Sequence, residues 1–233
     1  LAGDKLLGIP LNKLPGQSGP AKLLMLRPEN KAFKIGSMKL TIIGPREADL
    51  KTLKKDWEKW LKANRQKVRD IEKKMKEKME EIGADSLATT AIDLAEWSGI
   101  PETKGVTAPN LASLMFMVEE KGKRLLLTGD SAGKEIFDGL TETGFLKNGH
   151  LHVDVHKVQH HGAKANLEKE FARVISADHY VFCGNGLHDN PEEAVIRTIF
   201  NARCGPANLR ALAPEAKDRK FTMWFSTTGD GKA

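Results

Sequence analysis

The stretch HLHVDVHKVQHHG, residues 150–162, carries the most information about the fold of this chain. Its first half is rich in Leu and Val and predicts a buried β-strand. The strand runs into two adjacent histidines, His160 and His161, which a glycine follows. All seven histidines of the 233-residue chain lie between His150 and His188. The pair is interpreted either as surface imidazoles or as ligands that a strand delivers to a metal.

Composition places the chain among ordinary globular proteins, with 40% hydrophobic and 29% charged residues. No apolar run approaches the roughly 18–20 residues that span a bilayer, and the first residues lack a signal-peptide pattern. The two cysteines, Cys183 and Cys204, predict a reducing compartment, so we expect a cytoplasmic protein without a membrane partner. The net charge of +6 is compatible with phosphate-rich partners.

Strands alternate with helices along the chain, which predicts an α/β layered fold. We divide the chain into a strand and loop segment (residues 1–45), a long inserted helix (46–83) and a C-terminal α/β part (84–233). The first segment is predicted to hold a short strand, KLLML at 22–26, and two strands about a Gly-Ser turn. A shorter helix is predicted at residues 86–99.

Residues 46–82 contain no Gly or Pro, and their apolar positions recur in steps of three and four. This pattern predicts one long amphipathic helix that ends near Gly83. The helix either docks on its own domain through one stripe or protrudes to pair with a partner protein or a second copy. Trp57 and Trp60 lie one turn apart on the stripe and favour burial against some surface.

Three apolar stretches end in a polar turn that contains glycine: LLLTGD at Asp130, the strand before His160 and His161, and YVFCGNGLHDNP at His188. Strand ends are where α/β folds assemble their sites. Asp and His are ligand types that zinc and similar cations use. If the three strands are neighbours, these side chains could share a metal.

Each of these residues also has a structural interpretation. Asp130 is typical of a turn former or a helix N-cap. His188 could simply precede a helix that Asn190 caps and Pro191 begins.

The remaining histidines are predicted not to be ligands. His150, His152 and His156 share one face of a strand, as packing or solvent-facing residues, and His179 is expected to be exposed at a strand start. Cys183 is expected to be a small buried core residue.

Taken together, the runs APNLASLMFMVEEKGKRLLLTGD, VDVHKVQHHGAKAN and ADHYVFCGNGLHDNPEE resemble the C-terminal half of a metallo-β-lactamase-fold hydrolase. They are most similar to the branch that includes the hydrolase domain of the DNA-uptake competence proteins. The resemblance covers residues 32–200, interrupted by the helix at 46–82. The matching residues are Asn110, Ser113, Asp130, His160, His161, Gly162, Gly184, His188 and Pro191.

This resemblance implies an αββα sandwich that holds one or two metal ions, most often two zinc ions, with manganese as the alternative. Asp130 would be the carboxylate that bridges the metals. His161, or alternatively His160, would complete the second metal site, and His188 would contact substrate or handle a proton. The implied activity is metal-dependent hydrolysis of a phosphodiester, as in a nuclease or a phosphodiesterase acting on a phosphorylated small molecule.

The family's H-x-H-x-D-H cluster is absent, and no histidine precedes His150. Because the chain also starts at Leu1 rather than Met, we expect a missing N-terminal half or a companion chain to supply the other ligands. The alternative function is a non-catalytic scaffold or binding protein on this fold, which uses the helix at 46–82 for partner or self association.

Overall fold

A computed structural model describes most of the C-terminal part of the chain and two shorter regions before it. The described residues are 23–29, 32–70, 73, 102–103, 106–146, 148–184 and 189–226. The helix predicted at 86–99, most of the distal part of the 46–82 helix and the candidate residue His188 lie outside them.

Nine strands are present in the described part, and seven of them form one mixed sheet. Its order is β1-β2-β5-β6-β7-β8-β9, while β3 and β4 pair separately. The first four strands of the large sheet pair antiparallel, and β6 to β9 are parallel. The bounds are β1 (Phe33–Ile35), β2 (Met38–Gly44), β3 (Glu102–Thr103), β4 (Val106–Thr107), β5 (Met115–Glu120), β6 (Lys123–Leu127), β7 (Leu151–Lys157), β8 (Ile175–Phe182) and β9 (Thr222–Phe225).

Helices connect the successive parallel strands, which makes the described chain an α/β protein, as the sequence predicted. The α-helices are α1 (Glu47–Ala63), α2 (Ala108–Leu111), α3 (Gly133–Glu142), α4 (Lys169–Val174) and α5 (Glu193–Cys204). The connections from β6 to β9 run through α3, α4 and α5. Since β-strand crossovers are right-handed and these strands follow one another in one direction, the three helices share one face of the sheet.

The core lies between that sheet face and the three helices. A row of fully buried side chains crosses four strands, namely Met117, Leu126, His156 and Tyr180. It packs with helix residues that include Ile136, Phe171 and Ile199. Strand side chains alternate between faces, so the neighbouring row points away from the helices; it consists of Phe116, Leu127, Lys157 and Val181 and is only partly buried.

Two of the local predictions in the strand regions differ from the structure. The hairpin about Gly36 is confirmed by β1 and β2, but residues 23–27 form no strand. Leu26 instead donates one backbone hydrogen bond to the Pro45 carbonyl, at 2.7 Å. The run NLEKEFARVIS (residues 166–176) predicts a helix, but the structure has a helix only over Lys169–Val174, because the β-branched pair Val174 and Ile175 already leads into β8.

The helix predicted at 46–82 is interrupted in its described part. α1 ends at Ala63, and the Asn64 side chain donates to the Trp60 carbonyl at 2.9 Å. Residues 65–70 are again helical. The Asn64 backbone N–H also donates to the Trp60 carbonyl, at 2.9 Å, but the Asn64 φ and ψ of -119° and 33° are not helical. The prediction of one uninterrupted helix is therefore wrong at this residue.

α1 docks on its own chain. It packs against α2, and Trp60 is buried and stacked on Trp57 with ring centroids 5.6 Å apart. At its start, Arg46 forms an ion pair with Asp138 of α3, at 2.5 Å. For residues 47–63 this arrangement agrees with the docked interpretation. Within the described ranges, no helix is long and apolar enough to cross a membrane.

Candidate functional site

The turns that follow β6, β7 and β8 meet at one edge of the sheet. These strands are parallel neighbours, so their C-terminal ends lie side by side. The edge brings Asp130 together with His160 and His161, as the sequence predicted for neighbouring strands. Where His188 lies relative to them is outside the described residues.

The backbone of the histidine pair is unusual. β7 ends at Lys157, and both His160 (φ 42°) and His161 (φ 57°) adopt left-handed conformations, which non-glycine residues rarely do. The His160 amide donates to the Gly129 carbonyl at 3.2 Å, which ties this turn to the turn before Asp130. Strained residues of this kind cluster at functional sites, where the surrounding structure holds them.

Gly162, the next residue, is required by both conformation and space. Its φ is +92°, and a Cβ there would lie 2.6 Å from the Cβ of Pro191. Pro191 follows a cis peptide bond and precedes α5 by two residues, with Glu192 at the N-cap position. The predicted roles of Asn190 as cap and Pro191 as first helical residue are therefore wrong.

His161 presents one imidazole nitrogen to Asp130. Its Nδ1 lies 2.5 Å from the Cys183 carbonyl oxygen, which can only accept, so Nδ1 carries the proton of the neutral ring. The lone pair is then on Nε2, 4.0 Å from Asp130 Oδ1. Both side chains are partly exposed, at 43% and 37%. In a metal-binding histidine, the ring N–H that does not face the metal commonly donates a hydrogen bond to a backbone carbonyl, a carboxylate or water.

His160 is engaged at both ring nitrogens. The Asn166 Nδ2 lies 3.0 Å from the Asp130 carbonyl and 3.3 Å from the Ser131 carbonyl, so it must be the amide nitrogen. The Asn166 Oδ1 therefore faces His160 Nδ1, at 2.9 Å, and that nitrogen donates. His160 Nε2 accepts from Asn110 at 3.5 Å. This engagement distinguishes His160 from His161, whose Nε2 faces the Asp130 carboxylate.

A lysine lies beside the Asp130 carboxylate. The Lys157 ammonium donates to the Gly129 carbonyl at 2.8 Å and is 3.6 Å from Asp130 Oδ1, with its side chain only 17% exposed. The Asp130 amide in turn donates to Ser113 Oγ at 3.0 Å. The turn is thus fixed from two sides, and the ammonium offsets part of the carboxylate charge.

Sequence reasoning missed Asn166 and Lys157, because neither residue type is a typical ligand and their contacts depend on strand order. It was also wrong about Cys183, whose side chain is exposed. His179 lies within β8 rather than at its start, is half-buried and accepts from Trp224 Nε1 at 3.2 Å. His156 is a packing residue, buried against Phe171 and Tyr180.

A second polar cluster lies at the opposite end of β7 and β8. His152 is hydrogen-bonded to Ser176 Oγ at 2.9 Å and to Asp178 Oδ1 at 3.1 Å. Burial lowers the pKa of His152, and the Asp178 charge opposes this shift. Although the three residue types match a nucleophilic triad, Ser176 is fully buried and no substrate could reach its hydroxyl. The cluster is a structural hydrogen-bond network.

Asp130 and His161 carry donor types that metal ions accept, and Asp130 Oδ1 and His161 Nε2 lie 4.0 Å apart. Two donors of one tetrahedral zinc ion, at bonds of about 2.0–2.2 Å, lie about 3.3–3.6 Å apart, so a shared ion requires these two atoms to approach by roughly 0.5 Å. Among the residues with assigned positions, no group of three or more His, Cys, Asp or Glu side chains forms a metal site. At least one further ligand is needed for a catalytic zinc centre.

No protein-family model, curated protein or solved structure matches this chain.

Proposed function

We propose that this chain contributes the Asp130 and His161 ligands to a metal-dependent hydrolase of the metallo-β-lactamase fold. The observation that carries the proposal is the 4.0 Å approach of His161 Nε2 to Asp130 Oδ1, with Nδ1 tied to the Cys183 carbonyl. A bound zinc or manganese ion supplies Lewis acidity and lowers the pKa of bound water. His160 is assigned a supporting role, because both of its ring nitrogens are already engaged.

The substrate class we propose is a phosphodiester, either in nucleic acid or in a phosphorylated small molecule. The chain has a net charge of +6, and the Lys157 ammonium lies beside Asp130 at 3.6 Å. Positive charge near a cleft raises the local concentration of anionic substrates.

We further propose that another segment or a companion chain supplies the remaining ligands. Two donors are too few for a tight centre. The partly buried row on the sheet face opposite the helices contains Phe116, Leu127 and Val181 and leads to the Asp130 edge. In an αββα sandwich the second sheet would pack on this face. It would bring its ligands to the same edge.

Metal binding tests the ligand assignment directly. The protein is isolated with any polypeptide that accompanies it and dialysed to equilibrium against Zn²⁺ and Mn²⁺, with elemental analysis, and we expect Asp130→Asn and His161→Asn to weaken binding about tenfold or more. Asn is chosen at position 161 because it tolerates the left-handed backbone. Asp154→Asn is the matched control, since Asp154 pairs with Lys123 at the other end of the sheet. Binding by the site variants equal to that of the control would contradict the assignment.

Hydrolysis tests the reaction. The protein is isolated from its natural source with any polypeptide that accompanies it, and turnover of bis(p-nitrophenyl) phosphate and single-stranded DNA is measured. We expect activity that a chelator abolishes, that added metal restores and that Asp130→Asn lacks. Turnover that survives both the chelator and the substitution would exclude this mechanism.

A scaffold role through the helix at 46–82 has weaker support. Trp60, on the apolar stripe that such association would use, is buried inside the chain. The exposed side of α1 carries lysines such as Lys51 and Lys54, whose side chains are 74% and 78% exposed. A solvated charged face is the simplest reading of that surface.

A further inference from the structure

We infer that Asn166 is the positioning residue that sets the spacing between Asp130 and His161. The effect of Asn166 on metal binding rests on the proposed function, whereas the hydrogen bonds of Asn166 do not depend on that proposal. Asn166 follows the histidine pair, in the short 3-10 helix Lys164–Asn166, and is only 1% exposed.

Both polar atoms of the Asn166 side chain are hydrogen-bonded. The amide nitrogen has two hydrogens, and two carbonyl oxygens, of Asp130 and Ser131, lie at 3.0 and 3.3 Å. The amide oxygen accepts from His160 Nδ1 at 2.9 Å. In addition, the Asn166 main-chain oxygen accepts from Gln159 Nε2 at 2.9 Å. One buried side chain therefore connects the turn after β6 with the turn after β7.

This connection acts on the two ligand residues from opposite sides. On one side Asn166 holds the main chain of Asp130 itself. On the other it holds the ring of His160, the residue directly before His161. Metal sites tolerate errors of only about 0.2 Å in ligand distance, so a small relative movement of the two turns would separate the donors. Removing the amide would also leave the partly buried Asp130 carbonyl and the buried Ser131 carbonyl without this donor, which favours such a movement.

Asn166 also determines the protonation pattern of His160. Because its oxygen can only accept, His160 must carry its proton on Nδ1. Replacement by Ala removes that requirement, so the ring can adopt either neutral tautomer. Replacement by Asp keeps an acceptor for His160 but places a carboxylate oxygen against the two carbonyls. The two variants therefore separate the histidine contact from the carbonyl contacts.

The first measurement is made without metal. Nitrogen-15 spectra of histidine side chains at pH 8 report the tautomer of each neutral ring. In the wild-type chain we expect the Nδ1–H form at both His160 and His161. In Asn166→Ala we expect a mixture at His160 and no change at His161, which the Cys183 carbonyl holds. Wild-type His160 with its proton on Nε2, or an unchanged His160 tautomer in the folded variant, would overturn the inference.

The second measurement is Zn²⁺ affinity. We expect Asn166→Ala and Asn166→Asp to bind about 10- to 100-fold more weakly than wild type, as supporting residues of metal sites do. Asn201→Ala on α5 is the matched control and should bind like wild type. Wild-type affinity in both Asn166 variants would overturn the positioning role. If Asn166→Ala does not fold, as judged by circular dichroism, the isosteric Asn166→Asp carries the comparison.

These measurements separate the two proposals. A wild-type protein that binds no metal even when isolated with any accompanying polypeptide, but whose His160 tautomer depends on Asn166, would refute the metal centre and support the positioning contacts. A chain that binds metal through Asp130 and His161 with equal affinity in the Asn166 variants would support the metal centre and refute the positioning role.

Discussion

Replacing Gly139 by Ala is expected to lower the free energy of unfolding by about 3 kcal/mol. Gly139 is a buried residue of α3, where the helix crosses β2. A Cβ there would lie 1.8 Å from the Ile43 carbonyl oxygen and 2.9 Å from its carbon. Both are backbone atoms of a buried strand, so the helix rather than a side chain would have to move.

The sign of the stability change on Gly139→Ala distinguishes a closely packed glycine from one in an exposed helix. In an exposed helix interior, Gly→Ala raises stability by about 1 kcal/mol, because Ala is the better helix former. Urea unfolding of Gly139→Ala is compared with Thr141→Ala, an exposed substitution in the same helix whose effect should be within about 0.5 kcal/mol. A Gly139→Ala protein as stable as the wild type would show that α3 does not pack on β2 this closely.

Between pH 7 and pH 4, the wild type is expected to lose about 3 kcal/mol more of its free energy of unfolding than the His156→Phe variant loses. Burial, followed by the charge of Lys157, lowers the pKa of His156 from 6.5 to about 3. The Gln159 amide opposes this shift, although neither ring nitrogen has a hydrogen-bond partner within the described structure. The ring lies between Phe171 and Tyr180, where a phenyl group fits the aromatic surroundings.

The direction in which stability changes with pH follows from the lowered pKa of His156. The folded protein keeps His156 neutral, whereas the unfolded chain binds a proton below about pH 6.5. Stability is therefore fully present above that pH and is lost as the pH falls toward 3. Urea unfolding of both proteins at several pH values gives the difference, in which His152 and the carboxyl groups cancel. Parallel curves for the two proteins would mean that His156 is not buried as a neutral ring.

The sequence alone predicted a large part of the candidate site. Alternating apolar residues and glycine-containing turns placed β6, β7 and β8, and Asp130 and the histidine pair at the ends of the first two. This succeeded because strand periodicity and turn chemistry are local properties. The resemblance to metallo-β-lactamase-fold hydrolases added roles for these residues, and those roles remain proposals.

Other features depended on contacts between residues far apart in the chain. The run KLLML has the composition of a strand, yet the sheet gives its described residues 23–26 no strand partner. The burial of His156 follows from strand order and helix packing.

What the sequence determined by itself is the set of elements and the position of Asp130, His160 and His161 at strand ends. Only the tertiary structure decided which imidazole faces the carboxylate. The reason is that a histidine's free nitrogen is set by what its other nitrogen bonds to, and both partners come from elsewhere. The Cys183 carbonyl leaves His161 Nε2 toward Asp130, while Asn166 and Asn110 occupy His160.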